Sequence, residues 1–340
     1  MRIALDAMGG DHAPRATIQG ALAAADRGFE IVLVGDEGVI SEAVADAEVG
    51  GLPPTCTIHH ASEIVEMEDS PGSALRRKRD SSLRVAFELV TRGRADAVVT
   101  MGNSGAALAA GMFVVGRSKG VLRPAITAFV PSSRAPVVVL DVGANVECKP
   151  EHLLQFARMG SALAGVGLRR GEPTIGLLAN GTEDEKGTDL TRAAAALLEA
   201  APDLRYQGLV EPGDVFAGAV DVVVTDGWTG NLFLKTAEAT SSHLVGLVRE
   251  AADSTARARA GGWLLRPALK ASLARLDAAE VGGALLLGID AVAVIGHGGA
   301  DSRAVANALR TAARLASDGL LDRLAADLHA SSSKKSGLSP

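Results

Sequence analysis

Short apolar runs rich in β-branched residues recur along this chain, and stretches of helical period separate most of them. A strand wetted on one face alternates polar and apolar residues. Runs as continuous as Ile126–Val130, Val137–Val142 and Val220–Thr225 belong to strands buried on both faces, as in a largely parallel sheet covered by helices. Further strands are expected at Ile3–Met8, Glu30–Gly35, Thr55–His59, Ala95–Thr100, Thr174–Ala179, Tyr206–Val210 and Ala291–Ile295. Helices are expected at Ser73–Thr91, Pro150–Val166, Leu190–Ala200 and Arg303–Ala316. The class is therefore α/β, a three-layer sandwich. No fixed-period repeat and no clean linker divides it, so residues 1–325 are expected to form one domain with room for two lobes. Residues 326–340, Ser-rich at their end, read as a disordered tail.

In a parallel sheet, ligands bind beyond the carboxyl ends of the strands. Small and polar residues follow six of the runs: Asp6–His12, Gly102–Gly105, Asp141–Asn145, Asn180–Gly187, Asp226–Asn231 and Gly296–Gly299. Such loops let backbone N–H groups approach an anion, and a following helix amino terminus adds positive potential. A single loop of this kind is an ordinary turn; six at one expected edge point to a phosphate or a phosphate-bearing ligand.

Composition narrows the partners. Only 3% of residues are aromatic and the net charge is −6, which argues against stacking platforms for nucleic acid and against a global attraction to it. The two cysteines, Cys56 and Cys148, have no metal-ligand spacing and suit a reducing compartment. The amino terminus enters a strand directly, with no signal-peptide pattern, and no apolar run approaches a membrane span.

Lys186 is the only cation of the Asn180–Gly187 loop, placed to neutralise a phosphate or polarise a carbonyl. The alternative is a solvated lysine paired with Glu183 or Asp184. Asn231 is placed to donate to a developing oxyanion with the Thr229 hydroxyl assisting; the alternative there is helix capping, as it is for Asn103 and Ser104. His12 and His297 flank glycine turns and suit acid–base work or a structural hydrogen bond. Asp6, Asp141 and Asp226 stand near strand ends, where they either ligate Mg²⁺ or orient loops. Cys148 is either an acyl-accepting nucleophile or a structural thiol, with His152 as its only nearby histidine. No P-loop and no complete G-x-G-x-x-G follows the first strand, which weakens an ATP or dinucleotide reading.

Two segments read as contact surfaces. Arg76, Arg77, Lys78 and Arg79 cluster on an expected helix, either as a dock for an acidic partner or as a solvated face. Between Thr255 and Leu276 there are basic residues and no acid, with Trp263, Leu264, Leu265 and Leu269 supplying apolar surface. Such a segment lies on an anionic membrane or against a lipid chain, or else forms a dimer interface or helix pair.

These motifs, in this order, resemble bacterial phosphate acyltransferase, the PlsX family (acyl-acyl carrier protein:phosphate acyltransferase). The stretches that carry the resemblance are Ile3–Pro14, Met67–Val85, Gly102–Gly105, Leu140–Gly160, Gly181–Gly187, Val222–Lys235 and Gly282–Gly298, spread over residues 1 to 320. The resemblance implies a fold similar to that of isopropylmalate dehydrogenases and phosphotransacetylases. It implies a cytoplasmic homodimer with peripheral contact to the inner face of the cell membrane, and neither cofactor nor metal. It implies transfer of a long-chain acyl group from acyl carrier protein to inorganic phosphate. The acyl phosphate would then pass to a glycerol-3-phosphate acyltransferase for phosphatidic acid and phospholipid synthesis. Carried over by position, Lys186 and Asn231 are the expected catalytic residues. Gly9, Gly10, Asp11, His12, Gly102, Asn103, Ser104, Gly181, Thr182, Thr229 and His297 are the expected substrate-binding ones. Arg76–Arg79 would dock the carrier, and Trp263, Leu264, Leu265 and Leu269 would meet the acyl chain or membrane.

The chain departs from the family pattern at four positions. Ser104 stands for a commoner threonine and Glu185 for a commoner glycine, the latter adding negative charge beside Lys186. Val281 replaces an aromatic and Leu285 a proline. Two rivals follow: an enzyme of the same fold using coenzyme A thioesters or a nicotinamide cofactor, and a non-catalytic lipid- or carrier-binding module.

Overall fold

The structure is a computed structural model. It describes residues 1–25, 27–47, 50–183, 185–274 and 282–335, and the side chains of all of these except 269–274 and 329–335. The first elements are β1 (Arg2–Asp6), α1 (Arg15–Ala24), β2 (Glu30–Gly35), α2 (Glu37–Asp46), β3 (Cys56–His60), α3 (Pro71–Arg77), α4 (Ser82–Thr91), β4 (Ala97–Thr100) and α5 (Ser104–Ala110). Next come β5 (Ala125–Val130), β6 (Val137–Leu140), α6 (Pro150–Gly167), β7 (Thr174–Leu178), α7 (Asp189–Glu199), β8 (Arg205–Val210), α8 (Pro212–Ala217), β9 (Val222–Val224), α9 (Gly227–Asp253) and α10 (Ala256–Ala274). The last are β10 (Ala284–Leu287), β11 (Val292–Ile295), α11 (Ser302–Ser317) and α12 (Leu320–Lys335).

The eleven strands form one sheet in the order β3-β2-β1-β4-β11-β10-β5-β6-β9-β7-β8. Successive strand residues face opposite sides, so Ile3 and Leu5 join one apolar layer while Ala4 joins the other. Helices α1, α6, α7 and α11 pack on the first face; α4, α5 and α8 pack on the second. This is the expected three-layer sandwich.

Most pairings are parallel, but β5 pairs antiparallel with both β10 and β6, and β10 antiparallel with β11. Strands β6, β9, β7 and β8 therefore run opposite to β1, β4 and β11. The strand-end loops do not share one edge of the sheet, as the sequence suggested. They divide into two groups.

The helix expected over Ser73–Thr91 is two helices, α3 and α4. The break is held by Lys78, whose Nζ donates to the Ile64 carbonyl at 2.7 Å and pairs with Asp69 at 2.5 Å, and by Ser81 Oγ donating to the Lys78 carbonyl at 2.9 Å. At the carboxyl end α12 continues to Lys335, so the segment expected as a disordered tail is helical over its first part, and 336–340 lie outside the described residues.

Candidate active site

Capping explains many of the polar residues that follow strands. Asp36, Asn103, Thr188, Asp226 and Asp301 each accept a hydrogen bond from a backbone N–H in the first turn of the next helix. What remains unpaired after capping is therefore the informative part of each loop.

The first group gathers where β1, β4 and β11 end. Asp11 N donates to the Gly298 carbonyl at 2.8 Å, and Gly9 and Gly10 pack against Gly102 and Met101. Beneath them Thr100 donates to Asp6 at 2.7 Å, and burial pushes the Asp6 carboxyl above the ordinary range. Gly9–His12, Gly102–Ser104 and His297 thus come together. Asn103 is spent: it caps α5 and donates to the carbonyls of Met67 at 2.9 Å and Asp69 at 3.1 Å. It fixes the 66–69 loop in place and has no amide hydrogen left for a substrate. Ser104 and His12 are exposed. His297 accepts from Gly299 N through Nδ1 at 3.1 Å, which leaves Nε2 as the protonated nitrogen of its neutral form.

The second group gathers where β6, β7 and β9 end. Its hub is Asp141. Its carboxylate accepts from the backbone N–H groups of Ile126, Gly143, Ala144 and Asn145 and from the Asn145 carboxamide, all within 3.1 Å. Burial pushes this carboxyl up against the donors that hold it. Asp141 orients its loop and has no room to ligate Mg²⁺. Asp226 is likewise engaged by Thr229, through its N–H at 2.9 Å and its hydroxyl at 2.7 Å. With Asp6 in the other group, the three aspartates do not converge. Thr229 gives its hydroxyl hydrogen to the cap and not to an oxyanion.

Asn231 is exposed in the second turn of α9, and its carboxamide has no hydrogen-bond partner among the described residues. A Cβ on Gly143 would stand 3.7 Å from the Asn231 carboxamide carbon, so the hub loop and this amide are in van der Waals reach. The neighbouring loop is closed by Gly187 N donating to Asn180 Oδ1 at 3.0 Å. Across it the Lys186 stem packs on Gly181, where a Cβ would meet Cγ at 2.7 Å; only glycine lets the stem lie there. Lys186 is exposed and makes no ion pair with Glu183 or any other described residue, while Asp184 lies outside the described residues. Thr182 and Glu185 are exposed beside it.

Cys148 sits at the edge of this group. Burial, aided by the negative Asp141, pushes its thiol up to about 11. His152 does not serve it as a base: its Nδ1 accepts from Lys149 N at 3.1 Å, and burial holds its pKa below the ordinary value. A protonated thiol without a base is a structural residue.

Between α7, α8 and α9 runs a groove of about 840 Å³. Leu153, Leu177, Leu178, Leu190, Phe216, Leu232 and Phe233 line it, and Asn180, Thr188, Asp226 and Thr229 lie where it meets the strand ends. Sequence reading missed it, because its walls come from separate helices and no spacing links them.

The contact surfaces also resolve. Arg76, Arg77 and Arg79 are exposed near the first group, since α3 packs on α5; Lys78 is drawn inward by Asp69 and leaves the patch. Beyond Phe233, α9 is mostly exposed and pairs with α10, whose Trp263 and Leu264 are 73% and 71% exposed. The Leu269 side chain and Val281 lie outside what the structure describes. No described helix is long and apolar enough to cross a membrane.

A family model for fatty acid synthesis proteins matches residues 1–323. The chain is 49% identical over 325 residues to a phosphate acyltransferase of Anaeromyxobacter sp. (strain Fw109-5), covering 95% of this chain and 89% of that protein. It is 48% identical over 326 residues to a phosphate acyltransferase of Geobacter sulfurreducens, covering 96% and 93%. In fold it is similar to a phosphotransacetylase from Streptococcus pyogenes, with a TM-score of 0.63 at 15% identity over 94% of each chain. It is also similar to a branched-chain phosphotransacylase from Enterococcus faecalis, with a TM-score of 0.56 at 13% identity over 93% and 99%. Length of match, identity and the order of the strand-end motifs agree: the chain belongs to the bacterial phosphate acyltransferase (PlsX) family.

Proposed function

We propose that this protein transfers a long-chain acyl group from the thioester of acyl carrier protein to inorganic phosphate, giving an acyl phosphate that supplies phosphatidic acid and phospholipid synthesis. The observation that carries the reading is the pair of groups in the second cluster that have no partner among the described residues. Lys186 offers a cation and Asn231 an amide, among neighbours whose hydrogen bonds are already committed.

Phosphate is nucleophilic at neutral pH and needs no strong base. One of its oxygens attacks the thioester carbonyl, forming the C–O bond and a tetrahedral oxyanion. Collapse breaks the C–S bond and releases the carrier thiolate, which takes a proton from water or a nearby acid. Lys186 offsets the charge of the bound phosphate, and Asn231 donates to the oxyanion. Positioning and electrostatics supply the catalysis. A direct displacement suits a site whose one cysteine is held protonated.

Arg76, Arg77 and Arg79 suit an acidic carrier protein, and the exposed apolar flank of α9 and α10 suits a second copy of the chain or a membrane surface. This reading places the enzyme in the cytoplasm as a homodimer with peripheral membrane contact. A glycerol-3-phosphate acyltransferase is the class of enzyme that would consume its product.

The test is to incubate the purified protein with palmitoyl-carrier protein and phosphate and to trap acyl phosphate with hydroxylamine. Product that requires phosphate is expected. Hydroxamate formed equally without phosphate, or none at all, overturns the reading. A nicotinamide- and metal-dependent oxidation by the same preparation would favour the dehydrogenase branch of the fold.

A further inference from the structure

A long acyl chain needs an apolar channel that begins at the reacting carbonyl, and the groove between α7, α8 and α9 opens beside the proposed catalytic pair: Gly187, next to Lys186, and Leu232, next to Asn231, line it. Along α9 the residues that face it recur at Thr229, Phe233, Ala237 and Ser241, one per helical turn. From the first to the last this stripe runs about 18 Å at 1.5 Å per residue. With carbon–carbon bonds of ~1.5 Å, that length accommodates an extended chain of roughly a dozen carbons or more. Phe216 and Phe233 pack together, with ring centroids 5.6 Å apart, and form one continuous apolar wall, faced by Leu177, Leu178 and Leu190. The volume of about 840 Å³ falls within the range of about 300–1,000 Å³ typical of small-molecule sites.

The other candidate for the chain is Trp263 to Leu265 on α10. They are 58–73% exposed on a convex helix flank and offer a surface, not a channel. The groove differs in being walled by α7, α8 and α9, with Leu153 of α6 and Leu177 of β7 also lining it, and in having its polar end at Asn180, Thr188 and Asp226. We propose that this groove holds the acyl chain, with the thioester carbonyl at its strand-end mouth between the Asn180–Gly187 loop and the first turns of α9. The assignment rests on the acyl-transfer reading and names where that substrate's chain lies. The short side chains of Thr236, Ala237 and Thr240 keep the distal half open, so the depth of the groove sets the chain length accepted.

Two substitutions would plug it: Ala237→Trp from the half-buried side and Thr236→Trp from the exposed side, each checked for folding by its melting temperature. kcat/KM is measured with butyryl-, octanoyl- and palmitoyl-carrier protein. For the unaltered protein it should rise with chain length, by up to about fourfold per methylene until the groove is full. At least one folded variant should lower the palmitoyl-to-octanoyl ratio tenfold or more. Stabilisation of the melting temperature by palmitate should weaken in the same variant. Unchanged ratios and unchanged palmitate stabilisation in folded variants overturn the groove assignment. So does a shift produced by Leu264→Ser but by neither tryptophan. If no donor yields acyl phosphate, yet tryptophan abolishes stabilisation by palmitate, the reaction falls and the groove stands.

Discussion

Thr229 gives both of its polar hydrogens to Asp226, its backbone N–H to one carboxylate oxygen at 2.9 Å and its hydroxyl to the other at 2.7 Å. This cap fixes the start of α9, and with it the direction in which Asn231 leaves the helix two residues later. Asp226→Ala should therefore cost about 1 kcal/mol in urea unfolding, the usual worth of an N-cap. It should also lower kcat through Asn231, whereas Asp226→Asn keeps an acceptor and should recover most of both.

Lys186 has no ion-pair partner among the described residues. Lys186→Ala should lower kcat by roughly 10²–10³ if the amine stabilises charge in the transition state, with little change in melting temperature. Turnover near that of the unaltered enzyme would remove Lys186 from the mechanism. Glu185→Gly should lower the KM for phosphate by withdrawing a negative charge beside the amine.

Gly143 has φ of +143°, a backbone region that side chains rarely enter, and it lies against Asn231. Gly143→Ala is expected to destabilise the fold by about 1 kcal/mol or more, through strain in the loop that Asp141 organises. If the loop also positions Asn231, kcat should fall further than stability alone explains.

With its thiol raised to about 11, Cys148 carries almost no thiolate at pH 7–8. Iodoacetamide at neutral pH should modify it far more slowly than a free cysteine, and Cys148→Ser should keep full activity. Loss of activity in that variant would revive a covalent acyl-enzyme route.

Burial holds Asp6 above the ordinary carboxylate range. Between its unfolded value near ~3.9 and its folded value, the folded chain keeps a proton that the unfolded chain has released. The stabilising contribution is full below about pH 3.9 and is lost as the pH rises through the folded pKa. Asp6→Asn should flatten this part of the pH profile, so its stability should decline less than that of the unaltered protein between pH 4 and pH 7.

Much of the fold was legible because buried strands declare themselves by composition: Val137–Leu140 and Val222–Val224 have almost no polar residue to place in water. Ala284–Leu287 escaped notice because four apolar residues between glycines read as loop as easily as strand. The reversal of direction at β5 and β6 was not legible, since nothing in a strand's residues states which way its neighbour runs. The candidate site was partly legible. Lys186 and Asn231 stood out by residue type, but Asn103 and Thr229 looked equally available until their hydrogen bonds were known. The groove was invisible, because Phe216 and Phe233 meet only through the packing of α8 beside α9.

The insertion of β11 between β4 and β10 bears on how the chain matures during synthesis. The stretch from β5 to β9 is contiguous, whereas Ala97 must wait for Val292 before β4 gains its second neighbour. At about 5–20 residues per second, that wait lasts on the order of ten seconds or more. On the other side β5 waits likewise for β10, since Ala125 pairs with Leu287, so the half carrying Lys186 and Asn231 keeps an open edge as well. Until the β10–β11 pair is made, β4 and β5 both stand as open strand edges, which makes the seam between the halves the part of the nascent protein with most need of a chaperone.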